Sequence, residues 1–399
     1  MKPETDDPEA QTLPSGSLTE VFAAFLKLGL TSFGGPIAHL GYFRREFVER
    51  RAWVGESQFA QILAICQFLP GPASSQLGFG IGLLRAGWPG ALAAFTAFTV
   101  PSALMLFACA TWLPQIPGAL GDAVIHGLKL VALAVVAHGV LGMTRRLCPD
   151  FPRVRIAGVA TVLVLASGHA WMQLPIVALG GVAGLTLRRG VEPVPNGGLH
   201  LRYGPATGCA LLAVFVLLLG GLPLAAHGRE GLLAVSDAFY RAGALVFGGG
   251  HVVLPLLEEA VVKPGWISQD DFLSGYGAAQ AVPGPMFALA AYWGARLSGG
   301  EGGAVGASLA LGAIFLPGLL LLAGVLPLWR VLAGGPKAAR AIAGVNAAVV
   351  GLLGAALYDP VWISASQPLL QKNLYAAESG FCFIGLPKES AEKGERNSA

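Results

Sequence analysis

The sequence predicts an all-α polytopic membrane protein built from two inverted repeats with Gly/Pro-broken helices. Three observations predict it. The chain is 54% hydrophobic and 12% charged, against roughly a quarter charged in soluble domains. Its charges are segregated, so that Ser57–Leu84, Ala86–Gly121, Ile156–Leu187, Tyr203–Gly228 and Gly302–Trp329 contain no Asp, Glu, Lys or Arg. About 20 apolar residues suffice for a helix to cross a bilayer, and a β-barrel would instead show short alternating segments. Second, one pattern occurs twice. Phe25-Leu-Lys27-Leu-Gly29, Phe33-Gly34-Gly35, Trp53, Phe59 and Gln67-Phe-Leu-Pro70-Gly71-Pro72 recur as Phe239-Tyr-Arg241-Ala-Gly243, Phe247-Gly248-Gly249, Trp266, Phe272 and Gln280-Ala-Val-Pro283-Gly284-Pro285. Third, the Lys/Arg bias of equivalent loops is exchanged between the copies.

In chain order, residues 1–17 are acidic and polar, lack the basic-then-apolar pattern of a signal peptide, and read as a disordered tail. The first repeat, 18–190, begins with Leu18–Gly35 and a basic loop. The broken pair Ser57–Leu69 and Gly71–Leu84 follows, then long helices Trp88–Leu113 and Ala119–Met143 and two short ones, Arg155–Trp171 and Met172–Leu187. A linker, 191–231, carries one span at Tyr203–Leu224. The second repeat, 232–362, reads as Leu232–Gly250, Ser268–Val282, Pro285–Leu297, Gly303–Leu328 and Ala338–Tyr358. It lacks a counterpart of the last helix pair, and residues 363–399 form a polar, atypical tail, as a shortened or replaced end would.

Cytoplasmic loops collect Lys and Arg. Arg44, Arg45, Arg50 and Arg51 mark one such loop, whereas its counterpart holds Glu258, Glu259, Asp270 and Asp271 with Lys263 alone. Conversely, the uncharged Trp112–Gly121 corresponds to a segment with Arg330, Lys337 and Arg340. The swap predicts inversion of the second copy, and the single span at Tyr203–Leu224 supplies the odd crossing. The count closes if Leu18–Gly35 and Leu232–Gly250 dip in without crossing.

The Pro-Gly-Pro tracts are the first candidates for chemistry. Proline lacks an N–H and clashes with the preceding turn, so neither tract continues a helix. In hydrocarbon, freed backbone groups are tolerated only against protein or a water-filled cavity. A broken helix also exposes an N-terminus suited to an anion. Gln67, Pro70, Gly71, Pro72, Gln280, Pro283, Gly284 and Pro285 are therefore candidate substrate residues, with Ser74, Ser75 and Gln76 as neutral donors after the first break; a structural kink is the alternative. Gly34, Gly35, Gly248 and Gly249 let backbone approach either a ligand or another helix. Lys27 and Arg241 hold one repeat position in apolar surroundings, where a cation either serves function or snorkels to an interface. Lys129 lies mid-helix opposite Asn346 in the repeat. His39 and His251 do not share a repeat position and read as interfacial. A duplicated apolar unit with helix breaks in matching places is the mark of a secondary transporter.

The tract Phe25 to Leu40, Trp53-Val, Gln67-Phe-Leu-Pro-Gly-Pro-Ala, Phe247-Gly-Gly-Gly-His-Val-Val-Leu-Pro-Leu-Leu, Gly265-Trp-Ile, Gln280-Ala-Val-Pro-Gly-Pro and Tyr358-Asp-Pro-Val-Trp resemble the chromate transporter family in its long, two-domain form. The resemblance spans about Leu18 to Trp362. It implies a multi-pass protein of the cell (inner) membrane that exports chromate from the cytoplasm and confers resistance, with sulfate the natural oxyanion of like shape and charge.

Transport of sulfate or another oxyanion in either direction stays open as the nearest alternative. A membrane redox enzyme is the rival of another class. It would need a cofactor or reactive thiols, but the five cysteines are scattered without CxxC spacing, and no haem-type CxxCH or nucleotide fingerprint is present. The absence of a GxxxxGK[ST] signature likewise argues against direct ATP use. No catalytic residue, metal ligand, cofactor or nucleic-acid partner is expected; the expected partners are the oxyanion and the lipid bilayer.

Overall fold

The computed structural model describes residues 16–115, 118–167, 172–187, 199, 201–228, 231–246, 253–329 and 336–358. The tails, Gly248, Gly249, His251 and the C-terminal residues from 359 on lie outside the described residues, as does the side chain of Lys129. The described elements are helical throughout. The first copy contains α1 (Leu18–Thr31), α2 (Gly35–Phe43), α3 (Glu56–Phe68), α4 (Ala73–Trp112), α5 (Gly118–Leu147), α6 (Phe151–Ser167) and α7 (Gln173–Gly184). A connecting helix, α8 (Pro205–Ala226), leads to α9 (Leu232–Leu245), α10 (Val253–Leu257), α11 (Gln269–Ala281), α12 (Leu289–Ala295), α13 (Gly303–Val325) and α14 (Pro336–Ala356). Among the described residues, three segments are long and apolar enough to cross a membrane: Ala73–Trp112, Pro205–Ala226 and Gly303–Leu328.

α4 is two helices. Ala86 (φ −137°) and Gly87 (φ 66°, ψ −157°) are non-helical, and the chain folds back so sharply that a Cβ added to Gly82 would lie 2.5 Å from the Gly90 carbonyl oxygen. The equivalent fold-back joins α12 to α13, where Gly294 and Gly306 meet in the same way. Only glycine allows backbones so close.

The expected basic loop after Gly35 is partly helical, which corrects that reading. Gly34 takes the left-handed conformation (φ 96°) as the cap of α2, and Pro36 occupies its first turn, where its missing N–H costs nothing. Phe43 and, beyond it, Phe47 are fully buried, with Phe25 stacked on Phe47 at 4.7 Å between ring centroids. A wide helical turn, Arg44–Arg50, follows α2, and its counterpart, Glu258–Val262, follows α10. α10 escapes a reading of the sequence for the same reason as α2: a short helix offers too few turns for periodicity to register.

α1 packs on α4, and α9 packs on α13. Gly29 and Gly243 hold equivalent places in these contacts, against the backbone of Phe98 and Ile314 respectively. Two apolar cores result, and they exchange helix ends. Ala91, Ala94 and Phe98 of α4 sit in the first core, while Ala103, Leu106 and Ala110 of the same helix sit in the second. In reverse, Ala310 and Ile314 of α13 belong to the second core, and Leu321, Leu322 and Val325 to the first. The helices change core at Pro101 and Pro317, prolines within α4 and α13.

At the 1.5 Å rise of an α-helix, the 14 residues of α1 extend about 21 Å, less than the roughly 30 Å hydrocarbon thickness. α9 has the same length.

Candidate functional site

Both Pro-Gly-Pro tracts are extended breaks held by the opposite copy. Gly71 has φ 118° and Gly284 φ 97°, the left-handed region that glycine favours. The Gly71 N–H donates to the Val246 carbonyl at 2.7 Å, and the Gly284 N–H donates to the Ser32 carbonyl at 2.9 Å. Val246 and Ser32 are equivalent residues, each directly before a Phe-Gly-Gly tract. The exchange between the copies is therefore reciprocal.

A second pair of contacts obeys the same rule. The Gln76 amide nitrogen donates to Pro70 O at 3.0 Å and to Gly318 O at 2.9 Å, fixing the first break to α13 one residue past Pro317. Ser102 Oγ donates to Pro283 O at 2.7 Å, fixing the second break to α4 one residue past Pro101. The bonds to Pro70 O and Pro283 O supply donors for carbonyls of the breaks themselves, the requirement for burying such a break. Pro101-Ser102 and Pro317-Gly318 are a third duplicated motif, readable in the sequence as matching prolines but hidden inside long uniform helices.

His39 joins this crossing. It is fully buried, its Nε2 lies 3.2 Å from the Ser32 carbonyl that receives the Gly284 N–H, and its ring meets Phe98 edge-on. The expectation of an interfacial histidine is corrected: the turn at Gly34 directs α2 inward, carrying His39 against α4.

The two breaks lead into different structures. After Pro72 a full α-helix begins, Pro72 offers no side-chain cap, and Ser74 and Ser75 are buried. The Ser75 hydroxyl has no hydrogen-bond partner among the described residues. After Pro285 the chain makes a 3₁₀ turn, Met286–Ala288, before the seven-residue α12. Gln67 and Gln280 end α3 and α11 beside the breaks and are half-buried.

The two repeat-equivalent cations also differ. Lys27 is exposed and forms no ion pair among the described residues. Arg241 pairs with Asp237 one turn earlier at 2.6 Å, with the Asp237 side chain 8% exposed. Ala23 stands where a second such carboxylate would be. The two cations are thus equivalent in sequence position but not in surroundings.

A family model described as "Chromate transporter" matches residues 19–185 and again 233–386. The chain belongs to the chromate transporter family. It is therefore a membrane protein of a transporter family rather than an enzyme. It is 29% identical over 350 residues to a probable chromate transport protein of Synechococcus elongatus, covering 86% of this chain and 84% of that one. It is 27% identical over 386 residues to a chromate transport protein of Pseudomonas aeruginosa, covering 95% and 90%. To a chromate transport protein of Cupriavidus metallidurans it is 26% identical over 368 residues, covering 87% and 83%. No solved structure matches the chain. The family match falls as two blocks, one on each sequence copy, and the second block extends past residue 362.

Proposed function

We propose that this chain is a secondary transporter of the cell membrane that exports chromate from the cytoplasm and so confers resistance, with the dianion bound where the two broken tracts cross. The observation that carries this reading is the reciprocal pairing of Gly71 with Val246 and of Gly284 with Ser32. It supports a site made jointly by both copies, where a relative movement of the copies would change the access of a bound ion. Discontinuous helices at a repeat interface provide such sites in other transporters. The copies are proposed to be inverted about an axis in the membrane plane, with α1 and α9 as partial crossings.

Within the crossing, the first break is the stronger anion site. It opens a long helix whose first N–H groups have no partner within the helix, and the buried hydroxyls of Ser74 and Ser75 lie in that first turn. The Gln76 amide is already committed to Pro70 and Gly318, so its part is to shape the break. Export suits the energetics, because a dianion leaving a cell that is negative inside gains about 4.6 kcal/mol per 100 mV.

The test is uptake of labelled chromate into everted membrane vesicles, with sulfate as competitor. Chromate accumulation driven by an inside-positive potential supports export. Accumulation of sulfate with no effect of chromate would make the chain a sulfate carrier, and accumulation of neither would remove the transport reading.

A further inference from the structure

We propose that the cavity around Arg241 is a proton-linked anion site, in which a dianion displaces Asp237 from Arg241 and the freed carboxylate takes up a proton. The proposal rests on the reading of this chain as an oxyanion transporter and adds a second site and a coupling proton to it.

The cavity has a volume of about 470 Å³, within the usual range for small-molecule sites. Its walls come from the end of α8, from α9, and from the turn after α10, and include His227, Asp237, Arg241, Leu245, Glu259 and Trp266. Leu245 precedes Val246, whose carbonyl receives the Gly71 N–H. The cavity therefore ends one residue from the backbone that holds the first break.

Among the described residues, Arg241 is the cation that lines this cavity, and it pairs with Asp237. The Asp237 Oδ1 is buried with no hydrogen-bond partner among the described residues, so the carboxylate is only half satisfied by the protein. Among the described residues, the other titratable groups lining the cavity are His227, which caps the end of α8, and Glu259 from the turn after α10. Glu259 lies 4.0 Å from Lys263, whose side chain is 60% exposed. The described residues of α13, which packs on the other side of α9, contain no charged side chain.

A dianion entering this cavity and an ionised Asp237 would compete for one guanidinium, and like charges at such a distance oppose joint ionisation. Protonation of Asp237 removes the competitor while Arg241 stays cationic. The proton comes from the water that carries the anion, binds a carboxylate oxygen, and leaves when the anion departs. One net negative charge, rather than two, then moves with each substrate, so the membrane potential drives export half as strongly as it would the bare dianion.

The experiment is calorimetric titration of chromate into the purified full chain in lipid nanodiscs at pH 8, where chromate is a dianion, in two buffers of different ionisation heat. The wild type should take up a proton as chromate binds, and its affinity should fall by up to about tenfold per pH unit above that. Asp237→Asn should bind with no proton uptake and no such pH dependence. Glu259→Gln and His227→Ala should each retain the uptake; its loss in either would move the proton elsewhere and overturn the assignment. Retained uptake in Asp237→Asn would also overturn it. Chromate binding to the wild type without proton uptake would overturn the proposal yet leave the transport reading standing, and this outcome needs no variant to fold. If the wild type bound neither chromate nor sulfate, both readings would fall.

Discussion

The N–H of Gly284 donates to the carbonyl of Ser32 at 2.9 Å, joining the second copy's helix break to the first copy's glycine turn. The same link runs the other way from Gly71 to Val246. Because both glycines hold φ values that side chains rarely adopt, these two bonds depend on residue type and give the most direct test of the crossing.

Gly284→Ala should abolish transport. Its new Cβ would meet Ser102 Oγ and lie 3.1 Å from the Gly29 carbonyl. Gly71→Ala would approach the Gln76 amide and Gly318 Cα at 3.0 Å each and should be nearly as severe. Left-handed strain alone costs on the order of 1–3 kcal/mol. Gly220→Ala, where the space is open, should transport normally. The measurement is vesicle transport normalised to membrane protein; equal rates in all three would detach the breaks from function.

The side-chain ties at the breaks differ in strength. Gln76 makes two hydrogen bonds while fully buried, so Gln76→Glu places a carboxylate against two carbonyls and should cost about 3 kcal/mol or more. Ser102→Ala removes one bond to Pro283 and should cost about 1 kcal/mol. Thermal unfolding in detergent should rank them in that order, and the reverse ranking would mean that the second break carries the crossing.

Much of this arrangement is legible in the sequence, for reasons that individual residues make plain. Runs without charge delimit the long helices, and Pro70-Gly71-Pro72 and Pro283-Gly284-Pro285 mark both breaks because proline cannot continue a helix. The Arg85–Trp88 punctuation places the fold-back within α4. The partners are not legible. Nothing local to Gln76 points to Gly318, nor anything local to Ser102 to Pro283, since such contacts depend on how the helices cross. Comparing the repeats does not single out Asp237 either, because only Arg241 has a charged counterpart in the first copy. Its signal is a different one, a pair of opposite charges one helical turn apart.

Opposite orientation of the copies predicts opposite labelling of the two wide turns. Arg45 and Lys263 are both exposed, so cysteines placed there report the side of the membrane and not burial. In a cysteine-free background, the residue at 45 should react only from the cytoplasm and the residue at 263 only from outside. Reaction of both from one side would exclude inversion.

Glu46 should make stability depend on pH. Burial raises the pKa of its carboxyl, but hydrogen bonds from Arg51 and Arg50, with their charges, outweigh this and hold it below the usual value. A depressed folded-state pKa contributes stability that is present above the ordinary carboxylate range and is lost as pH falls through the folded value. Glu46→Gln should lower the melting temperature at pH 7 by an amount equivalent to about 1 kcal/mol, and this difference should vanish in strong acid. A constant difference across pH would show that shape, not charge, holds the turn.

Lys27→Gln and Arg241→Gln should separate, although the two residues are repeat equivalents. Lys27 is exposed, and loss of its charge should leave the melting temperature within error while weakening chromate transport only through long-range attraction, an effect erased by salt. Arg241 neutralises a carboxylate that is 8% exposed. Removing one partner of a buried pair leaves the other uncompensated, at a cost of about 3 kcal/mol, the low end because Arg241 is part-exposed, so Arg241→Gln should melt markedly lower and transport poorly at any salt concentration. Adding Asp237→Asn to it should recover most of the stability, because both charges are then gone, but not the transport, because the guanidinium is still missing. Recovery of both would make Arg241 a folding element alone. Recovery of neither would mean that the Asp237 charge is not what destabilises the single variant.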